Sequence, residues 1–71
     1  MRTQSEIRKL AAEKYKEGMA VYDLKFNEVF SFSFQTDAQV VVEWPDMFRP
    51  ASEEEERILK ESGNSFVVLD Q

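Results

Sequence analysis

The chain has 71 residues, 14 of them acidic and 9 basic, giving a net charge of −5, with no cysteine and no histidine. That composition excludes disulfides, thiolate nucleophiles, thiolate or imidazole metal ligands and the commonest general base. A chain this short builds one core, so a single α+β domain over residues 1–71 is expected, and its 42% apolar content with 13% aromatics is that of a folded chain.

Met1 to Gly18 is charged throughout and lacks the apolar core of a signal peptide. Thr3 and Glu6 have capping-box spacing, and Ile7, Leu10, Ala11 and Tyr15 recur with helical period. Gly18 stands where a left-handed helix stop belongs, so a helix over residues 4–17 is expected. Its other faces read as a solvated surface of paired charges, Glu6 with Lys9 and Lys9 with Glu13.

The period then changes to two. Ala20, Tyr22, Leu24 and Phe26 alternate with Val21, Asp23 and Lys25, Phe30, Phe32 and Phe34 with Ser31, Ser33 and Gln35, and Val40, Val42 and Trp44 with Val41 and Glu43. Three half-buried strands follow. A three-residue loop, Asn27 to Val29, would pair Phe26 with Phe30, Leu24 with Phe32 and Tyr22 with Phe34. A second connection would set Phe34 opposite Val40 in an antiparallel meander, with the phenylalanines as core. The other sheet face, with Val21, Val29, Ser31, Ser33 and Val41, would be flat and open.

Trp44 to Pro50 breaks both periods and reads as a loop bracketed by Pro45 and Pro50. Ser52 with Glu55 repeats the capping box, Glu53 to Glu56 begin a second helix, and Gly63 ends it. Phe66 to Leu69 forms a fourth strand at a sheet edge. The expected fold is an α+β two-layer sandwich of order αβββαβ with both helices on one face. Helix, three antiparallel strands and helix resembles, at fold level, the double-stranded-RNA-binding domains. Where those carry basic residues at the start of their second helix, this chain has Glu53 to Glu56.

Two surfaces stand out. Trp44, Met47, Phe48 and Arg49 are residue types enriched at interface hot spots, held between prolines that limit ordering entropy. Met47 and Phe48 could instead cap the open end of the core. Glu53, Glu54, Glu55, Glu56 and Glu61 form an acidic patch, read either as a solvated helix start or as a docking surface for a basic partner. Residues 1–18 carry net +2, residues 19–50 net −3 and residues 51–71 net −4. Direct nucleic-acid binding needs a basic stripe, and the cations of the first helix have glutamates one turn away. No Gly-rich phosphate loop or nucleophile–base pair supports catalysis, and no cofactor or metal is expected.

The reading is a small acidic, non-enzymatic, cytoplasmic protein-binding module, a regulator or inhibitor that occupies a partner surface. In type it resembles small acidic phage- or mobile-element-encoded inhibitors. One alternative is a nucleic-acid mimic that blocks a phosphate-binding groove. Another is a structural subunit forming a homodimer through its open sheet face or an edge. No membrane partner is expected, since no run approaches the roughly 20 apolar residues that span a bilayer.

Overall fold

The computed structural model describes residues 2–69. Thr3 caps helix α1 (Gln4–Ala12): its hydroxyl accepts the Glu6 N–H at 3.1 Å, and the Glu6 carboxylate accepts the Thr3 N–H at 3.0 Å. The helix ends five residues before the expected stop at Glu17, tightening into i−3 bonds from Glu13 to Leu10 and from Lys14 to Ala11, and Tyr15 beyond it stacks on Phe32 with ring centres 5.3 Å apart. Gly18 adopts φ +80° in the turn that follows, not as a helix cap, and its N–H donates to the Phe32 carbonyl at 2.8 Å.

Strands β1 (Ala20–Asp23) and β2 (Glu28–Ser31) form an antiparallel hairpin that pairs Ala20 with Ser31, Val21 with Phe30, Tyr22 with Val29 and Asp23 with Glu28. This register corrects the expected pairing of Phe26 with Phe30. The Asp23 carboxylate accepts the N–H groups of Lys25 and Phe26 at 2.9 and 3.2 Å, closing a loop over Leu24, Lys25, Phe26 and Asn27 before the strand can continue. Asn27 completes it with φ +52°. The odd offset turns Val21, rather than Tyr22, toward Phe30.

The expected third strand is a helix. Helix α2 (Phe34–Glu43) buries Ala38 and Val41, with Phe34 and Val42 half-buried. Those four positions recur at helical spacing, and burying them against α1 outweighs the strand preference of the valine run. Asp37 accepts the Ser33 N–H at 2.9 Å and Glu17 accepts the Phe34 N–H at 3.0 Å, satisfying donors at the helix start.

The segment read as a loop supplies the missing strand. After a 3-10 turn over Pro45–Met47, strand β3 (Phe48–Pro50) pairs with β1, setting Asp23 opposite Phe48, Tyr22 opposite Arg49 and Val21 opposite Pro50. Pro50 is tolerated because β3 is an edge strand. Helix α3 (Glu53–Ser62) has the expected Ser52–Glu55 capping box and left-handed Gly63. Strand β4 (Phe66–Val68) takes the other edge, beside β2. The sheet is antiparallel throughout, in the order β3-β1-β2-β4.

The fold is α+β as expected, but its order is αββαβαβ, and the fold-level likeness to double-stranded-RNA-binding domains does not survive that change. Nor do the helices share one face. Val21 and Phe48 pack with Ile7, Ala11, Tyr15, Phe32, Ala38 and Val41 beneath α1 and α2. The neighbouring Ala20, with Val29, packs on Leu59 of α3. Adjacent residues of one strand point to opposite faces, so α3 lies on the Ala20 and Val29 side and a three-layer arrangement results, while Val21 and Val41, expected on an open face, are buried beneath α1 and α2. Phe30, Phe32 and Phe34 do belong to the core or pack against it. No helix among the described residues is long and apolar enough to cross a membrane.

Candidate docking surface

One end of the sheet is shaped by two chain reversals. Pro45 stops α2, leaving Trp44 as its C-cap with its N–H on the Val40 carbonyl at 3.0 Å. The Leu24 N–H donates to the Met47 carbonyl at 2.9 Å, tying the hairpin loop to the 3-10 turn. Phe26 and Trp44 therefore become opposite walls of a cleft of about 270 Å³ floored by Asp23, Met47 and Phe48. Both aromatic side chains are more than half exposed, at 63% and 61%.

The cleft continues across the sheet. A second hollow of about 510 Å³ shares Asp23, Val40 and Phe48 with the first and extends past Glu28 and Phe30 to Phe66. It lies on the α1–α2 side, where α2 leans on α1 and leaves the β4 edge uncovered. Phe66 is 54% exposed there, and Val40 on the helix above it is 43% exposed. The result is a trough running under Val40 from Trp44 to Phe66, with exposed apolar side chains at Trp44, Val40 and Phe66 and a polar stretch of Ser31, Ser33, Thr36, Asp37 and Ser65 between them. Exposed apolar side chains grouped in a concavity mark interaction sites, whereas scattered ones need no explanation.

The floor is acidic. Asp23 is only 8% exposed, and while its Oδ1 caps the hairpin loop its Oδ2 makes no hydrogen bond within the described chain. Glu28 lies directly across the β1–β2 ladder from it. Partial burial, with the Asp23 carboxylate nearby, holds the Glu28 carboxyl above its usual range. Among the described residues no group of three or more acidic side chains is arranged to hold a metal ion.

The four loop residues singled out by the sequence are divided by the structure. Trp44 forms a wall and Met47 part of the floor. Phe48 is buried on β3 and meets Phe30 edge-on at 6.1 Å, as a core cap would. Arg49 belongs to the other face, where its guanidinium lies 4.3 Å over the Tyr22 ring and forms two 3.0 Å hydrogen bonds to Glu55.

The acidic patch is divided too. Glu55 is taken by Arg49 and by its own capping box, and those hydrogen bonds, the Arg49 ones foremost, hold its carboxyl below the usual range. Glu56 pairs with Lys60 at 3.7 Å, leaving Glu53, Glu54 and Glu61 exposed without an ion pair among the described residues. The pairs expected along α1 do not form; the ion pairs of the described residues are Arg49–Glu55 and Lys60–Glu56.

Sequence reasoning missed Phe26, Val40 and Phe66 as surface residues because strand alternation assigned Phe26 and Val40 to the core. The signal was Asp23 followed by Lys25, Phe26 and Asn27, an aspartate-initiated turn that leaves Phe26 at a loop tip. No protein-family model, curated protein or solved structure matches the chain.

Proposed function

We propose that this chain is a non-enzymatic protein-binding module, a regulator or inhibitor that acts by occupying a partner surface, and that its contact face is the trough between Trp44 and Phe66. The observation that carries the reading is the convergence of Phe26, Trp44, Val40 and Phe66, all exposed, along one concave surface. Aromatic anchors of this kind supply most of the binding energy in protein interfaces; here Trp44 caps α2, Phe66 is paired on β4, and Phe26 stands on the hairpin loop closed by Asp23. The whole sequence also lacks histidine and cysteine, which fits recognition better than chemistry.

Affinity capture from the native host tests the reading when wild type is compared with Val40→Glu and with Lys16→Glu as a control remote from the trough. A partner retained by wild type and by Lys16→Glu, and lost by Val40→Glu, is the expected result. A partner held equally by all three chains sinks the assignment of the trough. Trp44 is the sole tryptophan, so its emission should shift to the blue when the same partner is added.

A further inference from the structure

The trough combines two properties that select its occupant. Its two ends carry exposed apolar side chains, Trp44 with Phe26 and Phe66, and between them Asp23 and Glu28 stand directly opposed across the β1–β2 ladder, with Asp37, which accepts the Ser33 N–H, on the helix side. Like charges at opposed positions destabilise a sheet unless a cation meets them, and the Asp23 Oδ2, still reached by solvent, is open to a donor from outside. The chain supplies no such donor among the described residues. The Lys25 ammonium lies 5.5 Å over the Phe26 ring, and Arg49, on the neighbouring strand, is committed to Glu55 on the opposite face.

We infer that the trough binds an apolar peptide segment of a partner protein through a central arginine or lysine that seats its charge against Asp23 and Glu28. This rests on the protein-binding reading above and adds the chemistry of the partner. Aliphatic or aromatic residues flanking the cation fill the clefts at Trp44 and Phe66. Arginine suits the site better than lysine, because its planar fork reaches two carboxylates while its faces stack on Phe66 or Phe26.

The competing occupants fit less well. A second copy brings net charge −5 and the same two carboxylates to the contact. Nucleic acids and anionic lipid surfaces meet the same repulsion. Among the described residues the carboxylates of the trough are not grouped as a metal-ligand set.

The experiment is selection of short random peptides displayed against the full chain, followed by titration of the enriched peptides on Trp44 fluorescence. Enriched peptides should carry one basic residue between apolar ones. Glu28→Gln should weaken them about tenfold or more, the scale for breaking one partner of a desolvated charge pair. Replacing the peptide's basic residue by Gln should cost the same in wild type and little more in Glu28→Gln. Asp23→Asn should act likewise, and since Asp23 also caps the loop, Glu28→Gln keeps the test independent of folding.

Peptides without a basic residue that lose binding only in Val40→Glu overturn the cationic assignment and leave the protein-binding reading standing. Failure to enrich any peptide, or peptides indifferent to both Val40→Glu and Glu28→Gln, overturns both. A dimer seen by light scattering at micromolar concentration and dispersed by Val40→Glu overturns the inference in favour of a second copy.

Discussion

Arg49 grips Glu55 at two points, each guanidinium nitrogen 3.0 Å from a different carboxylate oxygen. The sequence had set these residues on two separate candidate surfaces, Arg49 in the proline-bracketed loop and Glu55 in the acidic patch. Folding spends them on each other, joining edge strand β3 to the first turn of α3. Tyr22 lies beneath the guanidinium, and the Tyr22 hydroxyl donates to the Asn27 side chain, so the same face is linked from α3 to the hairpin loop. The trough between Trp44 and Phe66 lies on the other side of the sheet.

Arg49→Ala should therefore lower stability and leave trough binding intact. The Arg49 side chain is 43% exposed, so screening limits the ion pair, and with the lost Tyr22 contact the loss should be about 1 kcal/mol. Urea unfolding measures it. Arg49→Lys should recover little, since an ammonium cannot reproduce the forked grip. An Arg49→Ala chain as stable as wild type that has lost affinity for trough-binding peptides would return Arg49 to the recognition surface.

The acid limb of the stability curve should carry the Glu55 signature. Its folded carboxyl lies below the unfolded value of about 4.3, so it contributes stability above that pH and loses it as pH falls through the folded pKa. Glu55→Gln should be less stable than wild type at neutral pH, with the difference narrowing as pH drops below about 4. Thermal unfolding across pH 2.5–7 reads this directly, and parallel curves for the two chains would contradict it.

Glu28 has the opposite sign. Its folded carboxyl is raised, so the folded state binds the proton more tightly and stability is lost as pH rises through that value. Glu28→Gln should be more stable than wild type at pH 7, and the gain should disappear below the unfolded value of about 4.3. A destabilised Glu28→Gln at neutral pH would mean that Glu28 has a favourable partner in the free protein, which would remove the vacancy on which the cationic inference depends.

Two phenylalanines on which strand alternation conferred the same role should part company. Phe32, 1% exposed and packed against Tyr15 and Phe34, should cost about 3–5 kcal/mol on replacement by alanine. Phe26→Ala should be nearly neutral to stability and should weaken peptide binding. Denaturation midpoints decide the first pair of claims and Trp44 titration the last.

That contrast shows where the sequence was informative. Thr3 with Glu6, Ser52 with Glu55, and Gly63 each satisfy helix-end groups by local chemistry, and α3 stands where they place it. The register of the hairpin depends on whether Asp23 turns inward to cap the loop, and alternation is blind to that choice. Residues 34–43 fit both periods: Val40 and Val42 alternate, while Phe34, Ala38, Val41 and Val42 recur helically. Only the presence of α1 as a packing partner separates the two. The trough follows from a local turn that alternation overlooks and from the non-local packing of α2 on α1, so periodicity alone left all its walls but Trp44 unread.

Asn27 gives the sharpest test of the hairpin loop. It is the only non-glycine among the described residues with positive φ, at +52°. Its side chain accepts from the Tyr22 hydroxyl and donates to the Leu69 carbonyl at 2.6 Å, and its own carbonyl accepts the Leu69 N–H at 2.8 Å. One residue thus closes the loop and fastens the end of β4, the strand that carries Phe66. Asn27→Gly relieves the left-handed backbone but removes both side-chain bonds; Asn27→Ala does the latter and adds about 1 kcal/mol of backbone strain. If β4 depends on this clamp, both variants should speed amide exchange at Val29, Val67 and Leu69, whose N–H groups lie in the β2–β4 ladder, with alanine the less stable overall. Asn27→Asp keeps the acceptor for Tyr22 and loses the donor to Leu69, so it should loosen β4 while leaving the β1 amides protected. Unchanged β4 exchange in all three would show that ladder pairing with β2 alone holds the strand, and that the Phe66 wall of the trough does not depend on the loop.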